Sequence, residues 1–408
     1  LVPVGGGSSV CGGIEPTKNS RYAGVISVDM QHFDQILEID RASRSAHIQA
    51  GIYGPALEAG LKAQGFTLRH YPQSFEFSTL GGWIATRSGG HFATLYTHID
   101  EFVQNVCMIT PRGKLSSRRL PGSGAGPSEE RFYTGSEGIL GIITSAWMRL
   151  QEIPKFKKTV TVSFPSFEAG AEAARALAQS GLNPANARLV DALEAFSNGL
   201  GDGQSAILIV GFESHQREVS YFMQEALKLC QSLGGKWDDK RLKEESRSEK
   251  GDAWKKSFLL APYLRDEMMK LGVILETFET AVTWDQFPAF YKNVKKATQQ
   301  AVQDYCGAGT VTCRFTHVYP DGPAPYFTVV AKGAPGQQLA QWDNIKKIVS
   351  QAIIDQGGTI THHHAVGKDH RPFYSQQHTP LFGEMLKAAK QSVDPQWIMN
   401  PGVLLAEE

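Results

Sequence analysis

The residues best suited to chemistry lie towards the two ends of the chain: a histidine run, His362, His363 and His364, and a set of glycine-rich loops that begins at Gly5. Imidazole changes charge near neutral pH, so a histidine run reads either as a metal ligand set or as a means of moving protons. In an extended segment neighbouring side chains point to opposite faces, which lets only His362 and His364 converge on one ion. No cysteine or carboxylate follows at ligand spacing, so no metal is expected, and proton transfer with phosphate contact is the preferred role.

The first loop is Pro3, Val4, Gly5, Gly6, Gly7, Ser8 and Ser9. Glycine has no Cβ, so successive amides can close on an anion, and a diphosphate is the natural guest. A plain flexible turn has the same composition. Two further stretches mix glycine with hydroxyl donors. In one, Pro72, Gln73, Ser74, Phe75, Glu76, Phe77 and Ser78 are followed by Ala85, Thr86, Arg87 and Ser88; the other holds Glu137, Gly138, Ile139, Leu140, Gly141, Ile142 and Ile143. Three such loops imply one large cofactor. Gly122-Ser-Gly-Ala-Gly-Pro127 is a decoy without the Gly-Lys-Ser/Thr of a P-loop and reads as a surface loop. Arg119, just before it, is a candidate to face an active-site phosphate.

Chain length and composition bound the reading. At 408 residues and 41% hydrophobic content there is material for two domains or more. Lys+Arg and Asp+Glu balance at 41 each, so no global field would gather nucleic acid. The cysteines, Cys11, Cys107, Cys230, Cys306 and Cys313, form no Cys-x-x-Cys and read as reduced thiols. No apolar run approaches the ~18 residues of a membrane span and no signal peptide pattern opens the chain, so a cytoplasmic location is expected. Leu1-Val2 reads as the end of a strand, and an earlier part of the first domain is expected to precede it.

Strand patterns at 23–28, 36–40, 45–50, 103–110 and 139–150 with one helix at 54–65 predict an α+β domain that must hold the loops. After Pro154 the pattern becomes strand, alanine-rich helix, strand, strand, helix up to Leu233, and a further helix is predicted over 381–392.

Glu76-Phe-Ser-Thr-Leu-Gly-Gly-Trp83, Glu276-Thr-Phe-Glu-Thr280 with Trp284-Asp285, and His362-His-His-Ala-Val-Gly-Lys368 together carry a resemblance. The chain resembles the flavin-linked oxidases of the vanillyl-alcohol-oxidase type and, among them, the alkyldihydroxyacetonephosphate synthases. The resemblance runs from Pro3 nearly to the C-terminus. It implies an α+β fold: a two-part FAD-binding domain (PCMH type) at residues 1–153, a ferredoxin-like antiparallel-sheet cap over the flavin at 154–355, and a C-terminal segment, 356–408, returning to the flavin. It also implies FAD held non-covalently by the loop residues named above; neither Cys11 nor His91 matches a tethering motif.

By the same resemblance Tyr326 is the general acid/base, His362, His363 and His364 support it, and Arg265 holds the substrate phosphate, with Arg314 a second candidate. A phenol of pKa ~10 needs help at neutral pH, which histidines can supply, while guanidinium binds phosphate in a bidentate way. A local ion pair of Arg265 with Asp266 or Glu267 is the alternative. In flavin-linked 2-hydroxyacid dehydrogenases paired histidines bind a metal here; only His317 could do so, because Pro325 and Tyr326 replace its partner. The charged stretch 236–256 followed by the apolar one at 258–271 reads either as a gate for an alkyl chain or as a helix packed on the cap sheet.

The function implied is exchange of the acyl group of 1-acyl-dihydroxyacetone phosphate for a long-chain alcohol, through an adduct at flavin N5 and with no net redox change. The implied partners are small-molecule lipid substrates and a second copy in a homodimer, with peripheral membrane contact left open and no nucleic acid. An FAD-dependent 2-hydroxyacid or alcohol dehydrogenase or oxidase remains the alternative.

Overall fold

The computed structural model describes residues 1–17, 21–96, 98–238, 265 and 267–406. The chain forms two compact units: Leu1–Gly90 with Thr97–Ile153 and His363–Glu408, and His91–Tyr96 with Pro154–His362.

In the first unit β1 (Val2–Val4) runs parallel to β2 (Ser27–Asp29). The strand expected over 23–28 is therefore shorter and shifted, since β1 offers only three residues for pairing, and Val25 and Ile26 lie exposed. The strands β3 (Ile36–Asp40) and β4 (Ser45–Gln49) form a hairpin, followed by α1 (Gly54–Ala63), β5 (Phe66–Thr67) and α2 (Leu80–Thr86). Next come β6 (Val103–Thr110), β7 (Gly113–Ser116), β8 (Ile142–Arg149) and β9 (Gln151–Glu152). An antiparallel sheet of order β3-β4-β8-β6-β7 results. Its buried side is made by the alternating Ala46, Ile48, Val106, Met108, Ala146 and Met148.

Helix α1 begins with Pro55 in its first turn and buries Leu57 and Leu61, one turn apart. Between them Glu58, also buried, accepts hydrogen bonds from the Leu68 amide at 3.0 Å and the Tyr71 hydroxyl at 2.8 Å. A buried carboxylate is tolerated only with such partners. These bonds fix the chain where it enters the loop at Pro72.

In the second unit β10 (Phe156–Phe164), α3 (Phe167–Gln179), β11 (Asn186–Val190), β12 (Ala206–Ser214) and α4 (Ser220–Ser232) form one β-α-β-β-α half. The second half repeats it with β13 (Val273–Glu279), α5 (Phe287–Cys306), β14 (Gly309–Val318), β15 (Pro323–Lys332) and α6 (Gln338–Asp355). The six strands lie antiparallel in the order β10-β12-β11-β14-β15-β13, so the halves join at β11 and β14. The strand-helix motif expected once is present twice.

One face of this sheet carries the large core of Val162, Phe164, Leu189, Phe278, Phe315 and Phe327 with residues of α3, α4, α5 and α6. Small residues on α3 let it sit close: a Cβ on Gly170 would come 2.4 Å from Leu189. The opposite face has a smaller apolar cluster that includes Val190, Ile207 and Ile209. The expected gate falls mostly at 239–264, outside the described residues.

The first unit is completed by α7 (Arg371–Gln377) and α8 (Pro380–Val393). Helix α8 is capped by Thr379, and its Lys390 is fully buried.

Candidate active site

In the first unit the three predicted loops meet. A Cβ on Gly6 would lie 1.5 Å from the Phe77 carbonyl oxygen, and one on Gly5 would lie 2.2 Å from Thr79 Oγ1, so only glycine permits this contact between the first and second loops. Gly7 has φ +70 and open space beyond it. In the second loop, amides of Phe75 and Phe77 turn back to the carbonyls of Pro72 and Ser74, and the Trp83 indole donates to Ser78 Oγ at 2.7 Å. The third loop hangs from the end of α2: Gly135 N donates to Ile84 O at 3.0 Å and Glu137 N to Ala85 O at 2.9 Å. Arg87, which ends α2, takes the left-handed conformation at φ 51 and pairs with Asp100 at 3.0 Å.

The C-terminal segment is stitched to the same loops. Glu137 accepts the amides of Val366 at 2.8 Å and Gly367 at 2.7 Å, while Asn400 Nδ2 donates to the carbonyls of Glu137 at 2.6 Å and Gly13 at 2.9 Å. Cys11 Sγ donates to the His364 carbonyl at 3.1 Å. Lys390 donates to the carbonyls of Ile139 and Met399, each at 2.7 Å, and to Asp394. His363 and His364 belong to this first unit, in a bend and not in the extended segment expected from the sequence.

The glycine cradle and the polar atoms that find no partner among the described residues, Ser136 Oγ, His70 Nδ1 and Asn400 Oδ1, all buried, fit a large polar cofactor. Burial pushes the Glu137 carboxyl up to about 7, outweighing the two amides that favour its charged form.

In the second unit Tyr326 on β15 lies between Glu279 on β13 and Arg314 on β14, each its direct cross-strand partner, so the three side chains stand on one face. That is the face opposite the large core. Tyr326 is 4% exposed, with the Arg314 guanidinium carbon 3.9 Å from its ring centroid. Burial pushes the phenol pKa upward and Arg314 opposes this, so the phenol carries its proton at neutral pH. Arg314 is held by Glu194 at 2.5 Å, whose amide donates to Asp191. Arg188 on β11 shares the face; burial, then Arg314, lowers its pKa to about 9.

His362 adjoins this group. Its backbone amide donates to Glu279 Oε2 at 2.8 Å, and its Nε2 lies 3.0 Å from the Tyr319 hydroxyl. The His317 ring centroid is 5.2 Å away.

Two predicted arginines are placed elsewhere. Arg119 pairs with Asp40 at 2.6 Å, bonds Ser45 and lies over the Trp147 ring, on the five-stranded sheet and away from the three loops' contacts. Arg265 lies 3.9 Å from Glu276, which bonds Lys346 at 2.8 Å and Trp342 of α6. Glu276 is on the core face of β13, so Arg265 is on the side opposite Tyr326, and Arg314 is the arginine brought to the phenol. Glu279, Tyr319 and Glu194 were not singled out from the sequence. Glu279 stood inside a recognised motif, but its cross-strand partner is visible only in the folded sheet.

Glycine loops on an antiparallel α+β unit, with a doubled β-α-β-β-α unit holding a buried tyrosine, define a flavin-linked enzyme. The family model for FAD linked oxidases, C-terminal domain, matches residues 153–404 and that for the FAD binding domain matches 1–117; the chain belongs to the FAD-linked oxidase family and its cofactor is FAD. More particularly, it is 30% identical to alkyldihydroxyacetonephosphate synthase of Dictyostelium discoideum over 99% of this chain and 69% of that protein. It is 32% identical to alkyldihydroxyacetonephosphate synthase of Caenorhabditis elegans, over 97% and 70% respectively. A solved alkyldihydroxyacetonephosphate synthase matches with TM-score 0.81 and 28% identity, over 98% of this chain and 72% of that one.

Proposed function

We propose that this chain exchanges the acyl group of an acyl-dihydroxyacetone phosphate for a long-chain alcohol, forming an ether and releasing a carboxylate. The observation that carries this reading is Tyr326, buried and in register between Arg314 and Glu279. FAD, held by residues 3–9, 72–78, 85–88 and 137–143, would supply an electron-accepting ring that lets one substituent replace another on the glycerone carbon with no net redox change.

The residues of the chain then have to handle one proton, which the entering alcohol loses as its oxygen bonds carbon. Tyr326 is suited to hold and return protons because its phenol is kept protonated by burial while Arg314 stands ready to stabilise the phenolate. Arg314, fixed by Glu194, and Arg188 keep positive charge on the Tyr326 face, where a phosphate would be attracted. His362 adds an imidazole, with Nε2 3.0 Å from the Tyr319 hydroxyl. Arg265 keeps the phosphate role only if it leaves Glu276.

The test is anaerobic incubation of FAD-loaded protein with acyl-dihydroxyacetone phosphate and labelled hexadecanol. Ether and free fatty acid should form in equal amounts with the flavin still oxidised at the end. Lasting flavin bleaching by a 2-hydroxyacid or an alcohol, relieved by an electron acceptor, would replace this reading with a dehydrogenase. The FAD is proposed to be dissociable: Cys11 Sγ is engaged with His364, and His91 Nε2 accepts from Asn186 at 2.8 Å. Acid precipitation should leave all yellow colour in the supernatant. A homodimer, peripheral membrane contact and a cytoplasmic location belong to the same proposal, and sedimentation, liposome flotation and cell fractionation test them.

A further inference from the structure

The second unit holds another tyrosine against a histidine. On one edge of the His362 ring, Nε2 is 3.0 Å from the Tyr319 hydroxyl. On the other edge, Nδ1 faces Glu279 Oε2 at 3.7 Å, with the side chains of His362 and Glu279 only 7% and 1% exposed. That carboxylate oxygen also accepts the His362 amide at 2.8 Å, and the Thr361 hydroxyl donates to its other oxygen.

Neither partner is loosely placed. Glu279 is the cross-strand partner of Tyr326. Tyr319 donates its amide to Gly322 O at 2.9 Å and accepts the Trp284 indole N–H on its carbonyl at 2.9 Å. The His317 ring stacks beside Tyr319 at 6.4 Å. Within this unit the ionisable groups about the His362 ring therefore include Glu279 from β13, His317 from β14 and Tyr319 from the turn after it.

A neutral imidazole has one bare nitrogen, and the hydrogen bond at one edge decides which. With the Tyr319 hydroxyl donating to Nε2, the ring proton sits on Nδ1 and points towards a buried carboxylate. At 3.7 Å the carboxylate is beyond hydrogen-bond length, yet a charge at that range in a water-poor site favours the imidazolium strongly.

We infer that Tyr319, His362 and Glu279 form a proton relay for the exchange reaction: Glu279 holds His362 in the Nδ1-protonated tautomer and stabilises its cation, and Tyr319 is the hydroxyl through which a proton reaches Nε2. This rests on the proposed transfer activity. The proton lost by the entering alcohol passes to the Tyr319 oxygen as the Tyr319 proton passes to His362, so the phenol is regenerated and the imidazolium holds the proton. Glu279 is a positioning residue in this scheme; the imidazolium gives the alcohol's proton up to water, while Tyr326 lends its own proton to the departing carboxylate and takes it back as that carboxylate leaves.

The experiment is NMR of FAD-loaded protein labelled with heavy nitrogen in histidine, the His362 signals being identified by their loss in His362→Gln. Wild-type protein should show His362 neutral with the proton on Nδ1 at high pH. Its titration midpoint should fall by about one to two pH units in Glu279→Gln. In Tyr319→Phe the Nε2 resonance should move while the other histidines stay in place. The acid limb of the kcat profile should move with the midpoint in Glu279→Gln, a change that a purely structural role would not cause. An Nε2-protonated ring in wild type, or an unchanged midpoint in Glu279→Gln, overturns the relay. Should Glu279→Gln fail to fold, the wild-type tautomer still decides. Absence of ether formation by wild type removes the transfer reading alone, because the titration does not depend on it.

Discussion

Arg314 and Tyr326 are cross-strand partners on β14 and β15, with the guanidinium carbon 3.9 Å from the centre of the phenol ring. The stack fixes the ring plane and places a permanent cation against the phenol, whose oxygen would carry negative charge in part of the proposed cycle. Tyr326→Phe keeps the stack and loses the oxygen. Transfer should drop about a hundred- to ten-thousand-fold with FAD content unchanged. Arg314→Lys keeps a cation for Glu194 and loses the planar contact; transfer should fall about tenfold with stability near wild type. Full turnover in Tyr326→Phe would take the phenol out of the mechanism.

Gly6 and Gly7 separate contact from conformation. Gly6→Ala places a methyl 1.5 Å from the Phe77 carbonyl oxygen and must push the first two flavin loops apart. Gly7→Ala meets no atom of the chain within 4 Å, so its cost to the fold is the φ +70 strain, about 1–2 kcal/mol. Denaturant unfolding of the flavin-free proteins should show little more than that loss in Gly7→Ala and a clearly larger one in Gly6→Ala. Equal losses in the two would contradict the packing argument.

Lys390 carries the only fully buried position of α8, and its ammonium joins the third flavin loop, at Ile139 O, to Asp394 and Met399 O. Lys390→Met leaves the Asp394 carboxylate, 0% exposed, without its cation and should cost about 3–5 kcal/mol in denaturant unfolding. Lys390→Met with Asp394→Leu should recover part of that loss, since no charge is then left buried. A double variant less stable than Lys390→Met would show that the amides of Ile398 and Met399, which Asp394 accepts, matter more than the ion pair.

Glu137 predicts an unusual pH dependence. Burial raises its carboxyl from the ordinary 4.5 to about 7, so between those values the folded protein holds a proton that the unfolded chain has released. Its stabilising contribution is complete below about 4.5 and is lost as pH rises through about 7. Wild type should therefore lose stability relative to Glu137→Gln as pH rises over that window, by at most about 3 kcal/mol. Unfolding midpoints taken at several pH values with FAD in excess check this, and a gap that widens in favour of wild type as pH rises would reverse the assignment.

What the sequence determined alone was mostly local. Residue types set where backbones can touch, so Gly5, Gly6 and Gly7 marked the first loop, and Leu57 and Leu61, four residues and so about one helical turn apart, marked α1. Family likeness added the phenol of Tyr326. The tertiary structure decided which polar residues face one another, because strand register depends on partners distant in the chain. The irregularity between Phe315 and His317 shows the reason most directly. Plain alternation from Arg314 would send His317 to the core face, but Phe315 pairs with Pro325 and His317 with Ala324, so the extra residue turns His317 to the face of Arg314 and Tyr326. In the same way alternation along β13 sends Glu276 to α6 and Glu279 to Tyr326, carrying Arg265 to one side and His362 to the other. No reading of residue types could assign those sides before the strands had found their partners.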